Sequence, residues 1–131
     1  MIDVSNLRRI ARARLRDAEM LLRAGRYDGG VYLCGYAVEI GLKARICKTI
    51  KWSGFPSTPS EFQSYGTFKT HNLDVLLHLS GREAPVKTKC LAEWSAVAKW
   101  DPEARYKPTG SATSADLKLM IASTRRLMKV L

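Results

Sequence analysis

Three adjacent side chains near the carboxyl end could hold a phosphate group. Arg105 is followed by Tyr106 and Lys107, so a fork of guanidinium donors stands beside an aromatic ring and a second cation. A planar guanidinium matches phosphate oxygens in a bidentate way, which is the chemistry of phosphate recognition. The same arginine has acidic alternatives, Glu103 and Asp101 in its own segment and Glu39 across the fold. Between phosphate binding and such an ion pair, we expect the ion pair.

A second group follows the pitch of a helix. Tyr32, Tyr36, Glu39 and Lys43 recur at three- and four-residue spacing, so they share one helical face. Glu39 and Lys43 stand four positions apart, in the order that favours attraction. A polar and aromatic stripe on an otherwise apolar helix has two readings that the sequence leaves open. It is either a hydrogen-bonded seam within the bundle or the dimer interface, or the wall of a ligand groove.

The chain has two histidines, His71 and His78. An imidazole is the usual agent of acid–base catalysis near neutral pH. For His71 we expect a structural role, with a hydrogen bond that orders the loop before a helix. The candidate ligand groove consists of Tyr36, Glu39, Lys43, His71, Arg105 and Tyr106. No cysteine or histidine spacing typical of a metal site is present, and we predict neither a metal nor a cofactor.

Arginines concentrate near the amino end. Twenty-two Lys and Arg oppose twelve Asp and Glu, which gives a formal net charge of +10. We call the following side chains the basic face: Arg8, Arg9, Arg12 and Arg16. A cationic helix face suits a phosphate backbone. The alternative is a solvated surface balanced locally by Asp17 and Glu19, which is the more frequent origin of such a run.

Helical periodicity places these residues on elements. We predict a first helix from Ser5, its cap, to Ala24, and a second from an Asp28 cap to about Ile50. A long connection with aromatic residues follows to Thr70 and packs onto the core.

Three shorter helices complete the prediction. They start at Thr70 or Asn72, at Pro85 and, with Ser114 as cap, near the carboxyl end; the middle one runs to Trp100. No segment alternates as a strand does, so the predicted class is all-α.

The second predicted helix is apolar on more than one face, so we expect it to be central or to bury one face against a partner chain. The length of 131 residues predicts a single domain over 1–131. Three widely spaced cysteines are typical of reduced thiols, and no apolar run spans a bilayer. We therefore predict a cytoplasmic protein with no membrane contact.

Several short strings resemble the HEPN domain family. Residues 36–44 carry A-V-E-x-x-L-K-A, residues 70–77 carry T-H-x-L-x-x-L-L, and residues 104–108 carry A-R-Y-x-P. Residues 18–27 resemble the end of the family's first helix. The resemblance implies an antiparallel bundle of four to five helices, commonly a homodimer with a groove between protomers. It also implies prokaryotic conflict systems of toxin–antitoxin type, in which members are ribonuclease toxins, partners of nucleotidyltransferases or nucleotide binders.

Ribonuclease members of the family share an arginine followed, after four to six residues, by a histidine. Here no histidine follows Arg105, and Tyr106 has an ordinary pKa near 10, too high for a neutral-pH base. We therefore expect a dimeric binding protein for RNA or a nucleotide, or a partner of a nucleotidyltransferase. The alternatives are a divergent metal-independent ribonuclease, using Arg105 with Tyr106 or His71, and a protein-interaction module without a nucleic-acid ligand.

Overall fold

The computed structural model describes residues 1–131, and helices make up most of it. The elements in chain order are β1 Ile2–Asp3, α1 Val4–Arg23, α2 Tyr27–Ile50, β2 Gly54–Phe55, α3 Pro59–Phe62, α4 Leu73–Ser80, α5 Glu83–Lys89, α6 Leu91–Val97 and α7 Ser114–Val130, with short 3-10 turns at Gly66–Phe68 and Pro102–Tyr106. The predicted all-α helical bundle is confirmed. No helix combines the length and apolar character that crossing a bilayer requires.

Helix α1 begins at Val4, and its N-cap lies two residues before the predicted one. Asp3, not Ser5, is its N-cap, because the Asp3 carboxylate accepts a 2.9 Å hydrogen bond from the Asn6 amide. Ser5 lies inside the helix and donates its hydroxyl to the same carboxylate. The buried stripe has the predicted spacing and consists of Leu7, Ala11, Leu15 and Ala18. This stripe packs against α2 and leaves the arginines on the outside.

Helix α2 is the centre of the bundle. It packs most extensively on α1, and α7 and α4 cover further faces. Buried residues lie on several of its faces: Cys34, Val38, Leu42 and Ile46 form one stripe, and Ala37, Ile40, Ala44 and Cys47 form another. Of the two expectations for this apolar helix, the central position is the one observed. Its apolar surface therefore gives no independent reason for a partner chain.

The connection after α2 contains a small element that the sequence did not predict. Ile2 pairs with Phe55, and Asp3 with Gly54, in an antiparallel two-stranded ladder. Four aromatic residues of this connection pack on one another and on Trp52, with centroid separations between 4.9 and 6.5 Å: Phe55, Phe62, Tyr65 and Phe68. The predicted packing of this connection onto the core is thus observed.

The later helices match the prediction except at their ends. Asn72 caps α4, and Gly81 ends it with φ +73°. The single helix expected from Pro85 is two helices, because Cys90 has φ −135° and ψ 37°, outside the helical region. Thr113, rather than Ser114, caps α7 through a reciprocal capping box with Asp116.

Candidate functional site

The carboxylate of Glu39 is the most deeply buried charge of the predicted groove. Its side chain is 2% exposed, and its Oε2 accepts a 2.9 Å hydrogen bond from Lys43 Nζ. Its Oε1 lies 3.0 Å from Nδ1 of His71. Both carboxylate oxygens are therefore engaged by side chains of the same protomer. Of the two readings of this stripe, this geometry favours the hydrogen-bonded seam at Glu39.

The imidazole of His71 contacts Glu39 through one nitrogen, and its side chain is largely exposed to solvent. Because the carboxylate can only accept, the 3.0 Å contact makes Nδ1 the protonated donor. The opposite nitrogen, Nε2, then belongs to a side chain that is 63% exposed. A carboxylate that holds one imidazole nitrogen while the other is free is the arrangement that orients a general base. The sequence separated these two residues by the whole of the long connection and gave no sign of their contact.

The stripe continues in both directions along α2. On one side of Glu39, the amine of Lys43 lies 5.3 Å from the ring centre of Phe55, a cation–π distance. On the other side, Tyr36 is partly buried, and burial first and the charge of Glu39 second raise the pKa of its hydroxyl. Tyr36 is thus neutral near pH 7 and does not act as a base.

Trp100 lines the cleft that contains His71, which is separate from the cleft that Arg105 lines. Its indole lies directly on the backbone of Gly35, where any Cβ would overlap the ring, and 5.9 Å from the ring of Tyr32. The cleft of His71 has a volume of about 320 Å³ and is also lined by Lys99 and Asp101, among others. Arg105 lines the other cleft, with a volume of about 460 Å³. The structure brings Glu39, Lys43 and His71 together. Arg105 lies in a different cleft from His71, and Tyr106 lines neither of these two clefts.

Arg105 and Tyr106 form an exposed pair of their own. The guanidinium carbon of Arg105 lies 4.9 Å from the ring centre of Tyr106, which is 70% exposed. Contacts with the side chains of Tyr106 and then Tyr32 raise the pKa of Arg105, so its charge is permanent. The expected ion pair with a nearby carboxylate is wrong, since none of Glu103, Asp101 and Glu39 pairs with this arginine. Glu39 is already occupied by Lys43 and His71.

Asp28 positions the segment that carries this second cleft. It was predicted to cap α2, but α2 begins at Tyr27 without a side-chain cap. The Asp28 carboxylate instead accepts hydrogen bonds from the amides of Gly110, at 2.6 Å, and Ala112, at 2.8 Å. These bonds hold the pKa of Asp28 below its ordinary value of 3.8. No local pattern in the sequence marks this long-range role.

The basic face of α1 lacks the acidic partners expected for it. All four of its arginines are exposed. Asp17 pairs with Arg14 at 3.0 Å and Glu19 with Arg125 at 2.7 Å, so neither neutralises this face. Among the 22 Lys and Arg, those paired with a side-chain carboxylate are Arg14, Lys43, Arg125 and Arg126. The expectation of local balance is therefore wrong.

Comparison with known proteins identifies the helical hairpin that carries most of these residues. Residues 4–58, which include α1, α2 and β2, match the HEPN domain family. No curated protein and no solved structure matches the chain. The matched range contains the basic face and the Tyr36–Glu39–Lys43 stripe, while His71 and Arg105 lie outside it. Over its two long helices, the chain is therefore similar to the HEPN domain family.

Proposed function

We propose that this protein binds RNA through the basic face of α1. The observation that carries the proposal is that Arg8, Arg9, Arg12 and Arg16 are exposed and form no ion pair with a carboxylate. A nucleic acid whose phosphates are neutralised by unpaired arginines releases its own condensed counterions, and this release favours binding. The proposal agrees with the RNA- and nucleotide-related roles that similarity to the family suggests.

The spacing of the arginines favours a chain of phosphates over a single acidic side chain. Arg8, Arg12 and Arg16 recur every fourth position, so their charges form a row along α1. At 1.5 Å per residue the row extends roughly 12 Å. A row of that length matches the repeated charges of a nucleic-acid backbone, which phosphate contacts hold without reading its sequence.

Retention of labelled single-stranded and structured RNA at increasing salt tests the proposal. The variant Arg8→Glu with Arg12→Glu is expected to lose roughly tenfold or more in affinity at low salt and to lower the salt dependence by about 0.7 per phosphate contact removed. The matched control is Lys87→Glu with Lys89→Glu, an equal charge change at exposed positions of α5. Equal losses in the two variants would show that net charge alone, rather than α1, attracts RNA.

A second candidate function, metal-independent ribonuclease activity, is favoured by one contact. Glu39 holds His71 through Nδ1 at 3.0 Å, and the exposed Nε2 could accept a proton from an RNA 2′-hydroxyl. Incubation with RNA in the presence of a chelator distinguishes the two functions. Binding alone predicts RNA that is retained and intact. Cleavage that is lost in His71→Ala or Arg105→Ala would establish the ribonuclease.

The proposal includes the homodimer that the family resemblance implies. Its support in the structure is a set of large apolar side chains that are more than half exposed: Met20, Leu91 and Leu119. Methionine is among the residues that are enriched at protein–protein interfaces. The mass of the purified protein in solution tests this part, and a monomer at micromolar concentration contradicts it. Protein that neither retains nor cleaves RNA would favour a nucleotidyltransferase-type protein partner.

A further inference from the structure

A second group of arginines lies at the edge of the basic face, where α1, α2 and the end of α7 meet. Arg45 of α2 faces Arg8 and Arg12 across a pocket of about 300 Å³. Ala11, Met128 and Leu131 supply its apolar wall. The two arginines of α1 belong to a cationic run that is visible in the sequence, whereas Arg45 lies near the end of a long helix, where an arginine is ordinarily solvated. The pocket therefore adds a specific site to a face that was predicted only as a charged surface.

The charges in this pocket repel one another and have no internal compensation. Burial, followed by the charges of Arg82 and Arg8, lowers the pKa of Arg45. Nε of Arg45 is buried and has no hydrogen-bond partner. The ion pairs of the chain involve none of Arg8, Arg12, Arg45 and Arg82. Like charges held together in this way cost stability, and a bound anion would remove that cost.

Two neighbouring residues shape the pocket without filling it. Arg82 donates from Nε at 3.2 Å and from Nη2 at 2.9 Å to the carbonyl oxygen of Val130, which fixes its charge behind Arg45. Gly41 lines the pocket wall, and a Cβ there would meet only Leu131 Cδ1, at 3.8 Å. The donors of Arg8, Arg12 and Arg45 are thus the ones left for a ligand.

We propose that Arg8, Arg12 and Arg45 bind a terminal phosphomonoester of RNA. The inference rests on the proposed RNA binding and names the part of the RNA that this pocket takes. Guanidinium forks match phosphate oxygens, and the apolar wall limits competition from water. A phosphomonoester near neutral pH carries nearly two charges, against one for a backbone diester. Three unpaired guanidiniums therefore favour the terminal group over the backbone.

The test compares three forms of one short oligoribonucleotide, with a 5′-phosphate, with a 3′-phosphate and with hydroxyls at both ends. The wild-type protein is expected to bind one phosphorylated form roughly tenfold or more tightly than the hydroxyl form, the usual worth of charge-assisted hydrogen bonds. In Arg45→Met this preference should disappear. The matched control Arg16→Met lies on α1 outside the pocket, and it should weaken all three forms equally and keep the preference.

The outcomes separate this inference from the proposed function. RNA that is bound without any preference for a terminal phosphate, or a preference that survives in Arg45→Met, overturns the pocket and leaves RNA binding intact. Failure to bind any of the three forms overturns both. The thermal unfolding midpoint of Arg45→Met shows whether this variant is folded. Arg45→Met should not lower it, because the substitution removes a like-charge contact and keeps most of the aliphatic volume.

Discussion

Oε1 of Glu39 and Nδ1 of His71 lie 3.0 Å apart, although 32 positions separate the two residues in the sequence. The contact links the middle of α2 to the segment that precedes α4. Because Lys43 occupies the other oxygen, the carboxylate satisfies two side chains at once. The buried charge is thus compensated from within the protomer, and its removal would leave the amine of Lys43, in a side chain that is 15% exposed, without a partner.

Glu39→Ala should therefore destabilise the protein rather than abolish ligand binding. Removal of one partner of a buried pair costs on the order of 3 kcal/mol in the free energy of unfolding. His71→Ala is the control, and it should cost less than about 1 kcal/mol because the imidazole is largely exposed. Urea denaturation measures both values. RNA affinity lost in folded Glu39→Ala protein would restore the ligand-groove reading.

Gly35→Ala should destabilise the protein, because Trp100 packs directly on this glycine of α2. An added Cβ would overlap the indole, so Trp100 must move and its contact with Tyr32 must change. We expect a loss of roughly 1–3 kcal/mol in stability, as for overpacking in other cores. Gly66→Ala is the control, because no atom lies within 4 Å of its Cβ position. Thermal unfolding monitored by tryptophan fluorescence compares the two, and equal midpoints contradict the prediction.

Asp28→Asn should loosen the segment that carries Arg105 in a pH-dependent way. The folded protein holds the pKa of Asp28 below 3.8, so the carboxylate stabilises the fold above that value. This contribution is lost as the pH falls through the lowered, folded-state pKa. Amide exchange at Gly110 and Ala112 should differ between wild type and variant at pH 6 and converge below the folded pKa. A difference that is constant across this range would exclude the carboxylate as its origin.

The three cysteines should resist alkylation until the protein unfolds. Cys34, Cys47 and Cys90 are free and buried. Burial raises the pKa of Cys34 to about 12, so at pH 8 only about one in ten thousand Cys34 thiols is ionised, and burial also raises the pKa of Cys47. Iodoacetamide should therefore label native protein very slowly and denatured protein at all three sites, as mass spectrometry would show. Rapid labelling of the native protein would reveal an opening that exposes α2.

Helical periodicity predicted the fold well because each helix buries a stripe that is local in sequence. Leu7, Ala11 and Leu15 show this for α1. The errors fall at helix ends and in short elements. Asp3 caps α1 although Ser5 has the same chemistry, and the two-residue strands are too short to alternate. Competition between neighbouring caps is decided by backbone geometry that composition does not encode.

The candidate site was predictable only where its contacts are local. The Glu39–Lys43 pair follows from one turn of helix and was found. The contacts of His71 with Glu39 and of Asp28 with Gly110 join residues that are far apart in the sequence, and no local sequence pattern predicts them. Arg45 was missed for the same reason, since its like-charged neighbours Arg8 and Arg82 come from other segments.

The pairing of β1 with β2 has a consequence for how the chain folds. It fastens the start of α1 to the segment after α2, so the range that matches the family begins and ends beside one small ladder. The hairpin of α1 and α2, two helices adjacent in the chain, is thereby closed at its open end. Such a unit can form early and exchange its amides cooperatively, with α7 docking onto it afterwards.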